Sequence, residues 1–241
     1  MNTSELNTKF YEDVFQVWNN DPNYFWVGFW YLYPYLDQLF QGNDNPRVLD
    51  IGCANGRFFN FLEFCFPDKN FTKVGIDFVD FPGVNNFEFI KMDIITQEFF
   101  DYKAEKFDLI LMFGVYHHIY GKANRQKITD KVNTLLSDKG MFVFTRWNFL
   151  MLERLRKHIL KPTQLAEYDI TFYLDQYEMG DYYLNWDKNA NSARFANIMD
   201  VYEIETMLSN SNLECKLSYY ADDKNENRNS YFVCNKNNLI K

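Results

Sequence analysis

The sequence predicts an α/β fold: a seven-stranded, mostly parallel β-sheet, preceded by an amino-terminal helical cap and closed by a carboxy-terminal antiparallel hairpin. Three observations predict it. From about residue 46 onward, short apolar runs of strand length alternate with helical segments, the pattern of parallel strands joined by crossover helices. The central runs are apolar on successive residues, as in strands covered on both faces. Only a polar loop separates the last two runs, so we expect them to pair as a hairpin.

The first 45 residues indicate the helical cap. Apolar residues recur at helical spacing up to Trp18, behind Ser4, which can cap the amino terminus of a helix. Asp21-Pro22-Asn23 breaks this helix. A second helical stretch, rich in aromatic residues, runs from Tyr24 to Phe40. Two helices are therefore expected before the first strand.

The elements of the sheet region follow in a regular order. The first five predicted strands are Arg47–Ile51, Phe71–Ile76, Phe87–Met92, Phe107–Phe113 and Met141–Thr145. The predicted helices are Asn55–Phe66, Lys122–Leu136, Phe149–Leu160 and Val201–Asn210. The predicted closing strands are Leu213–Tyr219 and Ser230–Cys234. We expect a turn at residues 137–140 and an irregular insertion over residues 161–197.

Composition and charge narrow the class of protein. Of the 241 residues, 47% are hydrophobic and 24% charged, which is typical of a globular chain and excludes a disordered one. The sequence shows no signal peptide, no apolar stretch of membrane-spanning length and no paired-cysteine motif. We therefore expect a soluble, cytoplasmic protein with no membrane contact and no metal.

The charge is unevenly distributed along the chain. The net charge of −8 does not favour a nucleic-acid partner, yet residues 121–161 carry ten Lys or Arg against three Asp or Glu. Two interpretations stay open at this stage: a basic face that meets a phosphate backbone, or ordinary solvated faces of helices.

A glycine-rich turn follows the first strand, in the segment Val48-Leu49-Asp50-Ile51-Gly52-Cys53-Ala54-Asn55-Gly56. Gly52 and Gly56 allow the backbone to pass close to a ligand, and the helix beyond offers free N–H groups. Asp50 stands two residues before the first glycine. A carboxylate there would repel a pyrophosphate and suits a ligand with an ammonium group.

Two further acids follow the next two strands. Asp77 ends the second strand, about twenty residues past the turn, where a carboxylate can accept hydrogen bonds from both hydroxyls of a ribose. Asp93 follows the third strand, between the apolar residues Met92 and Ile94. Carboxyl ends of parallel strands meet at one edge of a sheet, so Asp50, Asp77 and Asp93 are expected at one cleft.

These residues resemble the first motifs of the class I S-adenosylmethionine-dependent methyltransferases, which have a Rossmann-like fold. One departure is Ala54, which stands where the family usually has a glycine. The resemblance implies S-adenosylmethionine as cofactor and S-adenosylhomocysteine as product, with Asp93 accepting from the adenine amino group. The cofactor-binding residues that it implies are Asp50, Gly52, Cys53, Ala54, Gly56, Asp77, Phe78, Met92, Asp93, Ile94 and Phe113.

The fourth strand runs into Phe113-Gly114-Val115-Tyr116-His117-His118. This stretch resembles the family's segment that lies beneath the sulfonium and opens to the substrate, which implies Tyr116 as a substrate contact. His118 is either a general base, with an unshifted pKa near 6.5, or a structural hydrogen-bonding residue.

The second half of the chain resembles the tRNA wobble-uridine methyltransferases, which esterify carboxymethyluridine. The resemblance is carried by Trp147 after the fifth strand, the segment Gly180-Asp181-Tyr182-Tyr183-Leu184-Asn185-Trp186, and Arg194-Phe195. Asn197 stands where that family has a histidine. The resemblance implies tRNA as substrate and a small activator subunit as a possible partner.

Two groups of acceptor-side residues follow from this second resemblance and from residue chemistry. The candidate catalytic residues are His118, Arg146 and Arg194, the two arginines as a clamp for a carboxylate or phosphate. The candidate substrate-binding residues are Tyr116, Trp147, Tyr182, Tyr183 and Trp186, of which Tyr182, Tyr183 and Trp186 could stack a base.

Three functional hypotheses remain open on the sequence alone. The chain methylates a modified tRNA uridine, or it methylates a small molecule beneath its aromatic amino-terminal helices, or it is a non-catalytic methyltransferase-like scaffold. In all three we expect one domain over residues 1–241. Its parts are a helical cap (1–45), a cofactor-binding core (46–160), a substrate-side insertion (161–198), and a closing helix and strands (199–235).

Overall fold

A computed structural model describes residues 3–15, 21–81, 86–170, 177–185, 192–222, 224 and 227–237. Within these ranges the strands are β1 (Arg47–Ile51), β2 (Thr72–Asp77), β3 (Glu88–Lys91), β4 (Phe107–Met112), β5 (Leu136–Trp147), β6 (Asp181–Asn185), β7 (Ala193–Asn197), β8 (Leu213–Ala221) and β9 (Asn229–Lys236). The α-helices are α1 (Thr3–Phe15), α2 (Val27–Phe40), α3 (Arg57–Cys65), α4 (Gln97–Asp101), α5 (Lys122–Leu135), α6 (Glu153–Arg156) and α7 (Val201–Asn210). Short 3₁₀ turns lie at Tyr116–His118, Phe149–Met151 and Pro162–Tyr168.

Seven strands form one sheet in the order β3-β2-β1-β4-β5-β9-β8. Strands β1 to β5 pair in parallel, whereas β9 pairs antiparallel with both β5 and β8. The predicted mostly parallel sheet with a closing hairpin is therefore confirmed. The chain winds outward in opposite directions from β1 and β4, and the crevice at the carboxyl ends of such strands is where open α/β sheets bind ligands.

Helices cover both faces of this sheet, as the apolar strands predict. One core packs the strands against α4, α5 and α7. The other packs them against α2 and α3 and is rich in phenylalanine, with Phe58, Phe59 and Phe61 buried. Many of the chain's phenylalanines are thus core filler, and burial of such rings is the main source of stabilisation on this face.

Several local expectations differ from the structure. The turn expected at residues 137–140 lies inside β5, where the pairing with β4 jumps from Leu136 to Met141 and leaves the intervening residues as an irregularity. The helix expected over Phe149–Leu160 is a 3₁₀ turn followed by the four-residue α6. The expected continuation of the first helix to Trp18 lies outside the described residues.

The segment expected to be irregular contains a second, two-stranded antiparallel sheet of β6 and β7. Its strands are short and carry polar residues at buried positions, which hid the alternating pattern of a strand. Asn197 and Asp181 explain how such residues are accommodated, because Asn197 Nδ2 donates to Asp181 Oδ1 at 2.6 Å across the strand pair. β7 also packs against α1, which joins the cap to this small sheet.

Candidate active site

A cavity of about 1400 Å³ lies at the carboxyl ends of the parallel strands. Its walls include the ends of β1 and β2, the segments that follow β3 and β4, Trp147 at the end of β5, and residues of α1. Pockets that hold one small molecule usually have a volume of about 300–1,000 Å³. The cavity is therefore large enough for a donor and an acceptor together.

The turn after β1 has the close backbone approach that the sequence predicts. Gly52 has φ +78°, and a Cβ added there would lie 2.2 Å from Val115 Cγ2. Ala54 also has positive φ, at 46°, and its N–H donates to Asp77 Oδ2 at 3.0 Å. Gly56, the cap of α3, contacts Phe87 instead of the cavity, so its part is to shape the turn.

Asp50 and Asp77 are buried side by side at this turn, and both line the cavity. Burial, followed by the charge of Asp77, raises the pKa of Asp50 to about 8. Burial raises the pKa of Asp77 to about 6. The N–H groups of Ala54 and Val79, which donate to its carboxylate, lower the pKa and only partly offset the effect of burial. Two buried carboxyls held close together favour a cationic ligand, because a positive charge stabilises both anions.

Asp93 lines the same cavity, together with Met92 and Ile94. Its Oδ1 accepts from the N–H of Ile95 at 3.2 Å, and its Oδ2 accepts a short hydrogen bond from the Ser4 hydroxyl of α1. The structure therefore brings all three acids to one cleft. Cys53, Ala54, Phe78 and Phe113 line it as well.

We expect the raised pKa of Asp50 to make cofactor binding depend on pH. An ammonium group beside Asp50 requires the ionised carboxyl, so binding below the free-protein pKa of about 8 releases a proton. The affinity for S-adenosylhomocysteine should therefore rise from pH 6 to pH 8, by at most about tenfold per pH unit. Titration calorimetry in two buffers of different ionisation enthalpy measures the released proton, and Asp50→Asn should abolish the release. Equal affinities at pH 6 and pH 8 would contradict the ammonium contact.

His118 also lines the cavity, at the place where the segment after β4 meets α1 and β7. Its Nδ1 is 2.7 Å from the Phe195 carbonyl and its Nε2 is 2.6 Å from the Tyr11 hydroxyl. Burial, followed by the charge of Arg194, lowers the pKa of His118 to about 3. The expectation of an unshifted pKa near 6.5 is thus corrected: His118 is a neutral hydrogen-bonding residue at physiological pH.

The two candidate arginines are not brought together. Arg194 lines the cavity, and its guanidinium carbon lies 4.8 Å from the ring centre of Phe10 and 4.5 Å from that of Trp147. Arg146 is buried elsewhere and donates to Met199 O at 3.0 Å and to other polar groups. The structure therefore does not form the expected two-arginine clamp.

The candidate substrate residues divide in the same way. Trp147 and Tyr183 line the cavity. Tyr116 is fully buried, with its hydroxyl 2.8 Å from Thr129 Oγ1, and it belongs to the hydrophobic core. Tyr182 packs edge-on against Phe149, away from the cavity. Trp186 lies outside the described residues.

The sequence reasoning missed the polar face of α1. Ser4, Asn7 and Tyr11 all line the cavity. Asn7 Oδ1 accepts from Phe195 N–H at 2.8 Å, and its Nδ2 donates to the His118 carbonyl at 3.3 Å. The spacing of three and four residues places these side chains on one side of a helix, and that polar stripe was the available signal.

The sheet order and the row of carboxylates define the class of S-adenosylmethionine-dependent methyltransferases. A family profile described as methyltransferase domain matches residues 31–217, and the chain belongs to that family. The predictions of the family, of a methyltransferase and of S-adenosylmethionine as its cofactor are confirmed at this level.

Solved structures show the same fold. A methyltransferase from Methanosarcina mazei superposes with a TM-score of 0.60 at 16% identity, covering 85% of this chain and 98% of the other. 1,6-Didemethyltoxoflavin-N1-methyltransferase from Burkholderia thailandensis, solved with S-adenosylhomocysteine, gives 0.58 at 14% identity, covering 97% and 86%.

Two curated relatives match only in part. An uncharacterized protein of Methanocaldococcus jannaschii is 30% identical over 121 residues, which are 49% of this chain and 43% of that protein. A tRNA (guanine-N(7)-)-methyltransferase of Bacteroides thetaiotaomicron is 51% identical over 39 residues, 16% of each chain. The chain thus spans less than half the length of either relative.

Two further properties concern the described residues alone. None of the described helices has the length and apolar character needed to cross a bilayer. No group of three or more His, Cys, Asp or Glu side chains in the described ranges is arranged to hold a metal ion.

Proposed function

We propose that this protein transfers the methyl group of S-adenosylmethionine to a small molecule held in the cavity. The observation that carries the proposal is the shared cavity itself, which is lined by Asp50, Asp77 and Asp93 and also by His118 and Arg194. The three acids hold the amine, ribose and adenine of the donor. The rest of the cavity then holds the acceptor, and positioning with exclusion of water supplies most of the catalysis, since the sulfonium donor is already activated.

Three of the ten cations in the basic segment, residues 121–161, are committed to contacts within the fold, which weakens the case for tRNA as the acceptor. Arg125 is fully buried and paired with glutamates, at 2.7 Å from Glu203. Lys131 donates to two backbone carbonyls, and Arg146 is buried in its own hydrogen-bond network. These three cations therefore do not add to a basic face, whereas the other seven of the segment, among them Arg154, Arg156 and Lys157, are exposed. What supports tRNA is the short match to a tRNA methyltransferase.

A labelled-methyl transfer assay separates the candidate acceptors. S-adenosylmethionine with a labelled methyl group is incubated in parallel with total tRNA, total protein and a small-molecule extract. We expect label in the small-molecule fraction. Label in tRNA would support the alternative acceptor. Absence of label from all three, with S-adenosylhomocysteine bound in calorimetry, would support the non-catalytic scaffold.

Arg194→Met should separate the acceptor side of the cavity from the donor side. The methionine keeps an apolar stem between the rings of Phe10 and Trp147 but removes the cation. Nη1 of Arg194 also donates to the Tyr11 hydroxyl at 3.3 Å, so the substitution removes a hydrogen bond that positions a group of the cavity wall, and we expect transfer to fall about tenfold. The affinity for S-adenosylhomocysteine should stay within about threefold of the wild-type affinity.

The matched control for that variant is Arg156→Ala, an exposed arginine of α6 away from the cavity. It should transfer at the wild-type rate. Unchanged turnover in Arg194→Met would remove Arg194 from the acceptor side.

A further inference from the structure

The Tyr11 hydroxyl is held by two side chains that come from two other parts of the fold. Tyr11 itself comes from α1 and lines the cavity. Its oxygen is 2.6 Å from Nε2 of His118, in the segment after β4, and 3.3 Å from Nη1 of Arg194, on β7. The Tyr11 ring also meets the His118 ring edge-on at 5.3 Å and lies 6.2 Å from that of Phe78, the residue after Asp77. Tyr11 therefore stands between the donor side and the acceptor side.

The direction of each hydrogen bond at Tyr11 follows from its neighbours. Phe195 offers a carbonyl, which only accepts, so the Nδ1 of His118 must carry the proton of the neutral ring. The Nε2 of His118 is then an acceptor, and Tyr11 donates its own proton to it. Arg194 has only donors, so it donates to the Tyr11 oxygen. The single proton of the Tyr11 hydroxyl is thus used, so any further hydrogen bond to this oxygen, beside the one from Arg194, can only be one that it accepts.

We infer that Tyr11 selects the methyl acceptor by accepting a hydrogen bond from its nucleophilic atom, so that this atom is the nitrogen of an uncharged amine that carries a hydrogen. This inference rests on the proposed function and names the chemical class of its substrate. A carboxylate has no hydrogen to donate and would oppose its lone pairs to those of the Tyr11 oxygen. An ammonium has no lone pair for the attack, and the neighbouring Arg194 repels it.

The reaction balances without a protein base. The nitrogen lone pair forms the new N–C bond as the C–S bond breaks, and the bonding pair returns to sulfur, which becomes a neutral thioether. The positive charge moves from sulfur to nitrogen, and the product keeps its proton until it is released to water. A hydroxyl nucleophile would need a group to take its proton during the attack. His118 is poorly suited to that task, since burial and Arg194 lower its pKa to about 3.

The test uses Tyr11→Phe, which removes the hydroxyl and keeps the ring. The probe is S-adenosylmethionine with a labelled methyl group, incubated with the small-molecule extract. We expect a labelled product that is stable to mild alkali and retained by a cation exchanger, as a methylated amine is. In Tyr11→Phe the amount of this product should fall at least tenfold, while the affinity for S-adenosylhomocysteine stays within about twofold, which is the effect of losing a hydrogen bond to the acceptor alone.

The control is Tyr202→Phe, an exposed tyrosine of α7 away from the cavity, which should behave as wild type. Calorimetry with S-adenosylhomocysteine on the same samples verifies that each variant is folded. Volatile label released by mild alkali would identify a methyl ester and overturn the inference while leaving methyl transfer intact. Wild-type turnover by Tyr11→Phe would also overturn it. Absence of label in every fraction of the wild-type protein would overturn the proposed function itself.

Discussion

Asp77→Asn should weaken the binding of S-adenosylhomocysteine by about a hundredfold or more. The wild-type carboxylate can accept from both ribose hydroxyls, and hydrogen bonds to a charged group contribute about 1.5–3 kcal/mol each. Asp77 also accepts from the N–H groups of Ala54 and Val79, and an amide offers only one oxygen for these two donors. The substitution therefore affects both the ligand contact and the shape of the turn. Calorimetry at pH 8, above the raised pKa of about 6, measures the loss.

The chain offers a matched control at Asp80, three residues further on. Asp80 pairs with Lys91 at 2.9 Å, and both side chains are largely exposed. Asp80→Asn changes the same charge close to the same strand end, and exposed ion pairs contribute about 0–1 kcal/mol. It should bind S-adenosylhomocysteine as the wild type does. Binding within about threefold of wild type by Asp77→Asn would contradict a direct contact with the ribose.

Gly52→Ala should have the second large effect, on stability and on cofactor binding together. The methyl group would meet Val115 Cγ2 at 2.2 Å, in a backbone conformation with φ +78° that L-residues rarely adopt. Backbone strain of about 1 kcal/mol and overpacking of about 1–3 kcal/mol should add. We expect the free energy of unfolding to fall by about 2–4 kcal/mol on that basis. The displaced turn should also bind S-adenosylhomocysteine at least tenfold more weakly.

The substitution Gly42→Ala separates the cost of backbone strain from the cost of the contact with Val115. Gly42 has nearly the same φ, +75°, but an added Cβ would have no atom within 4 Å. It should therefore show the backbone cost alone, about 1 kcal/mol in chemical denaturation. The double variant Gly52→Ala/Val115→Ala should recover part of the difference, since the two side chains then no longer overlap. Equal destabilisation by Gly42→Ala and Gly52→Ala would show that contact with Val115 has no role.

The donor side of the cavity could be predicted from the sequence because its signals are local. Each acid lies at or just beyond the carboxyl end of a strand, and the parallel pairing of β1, β2 and β3 brings the three strand ends to one edge whatever the rest of the chain does. The glycine turn needs only the strand before it and the helix after it. The sequence alone therefore predicts that Asp50, Asp77 and Asp93 lie together.

The acceptor side depends on contacts between distant segments, which no local pattern encodes. Ser4 and Asp93 are 89 residues apart, and Asn7 and Phe195 are 188 apart. The sequence analysis therefore did not predict Tyr11 as a residue of the site, although its position on the polar stripe of α1 can be read from the sequence. The expected position of Ser4 at a helix cap was also wrong, because α1 begins at Thr3 and the Ser4 hydroxyl binds Asp93.

The alternation of side chains along a strand explains two of the misplaced residues. Successive residues of a strand point to opposite faces. Trp147 of β5 lines the cavity and its neighbour Arg146 does not; Tyr183 of β6 lines it and Tyr182 does not. Each pair was expected to act together at the site. This alternation predicts that only one member of each pair faces the cavity, although it does not predict which one.

Because α1 supplies a wall of the cavity, the amino-terminal residues act as a water barrier for the reaction. A shortened chain that starts at α2 would keep all seven strands of the main sheet and the entire glycine turn. Yet the cavity would then be open to water on the side where Ser4, Asn7 and Tyr11 now line it, so the shortened chain would fold its sheet and lose the enclosure that the reaction needs.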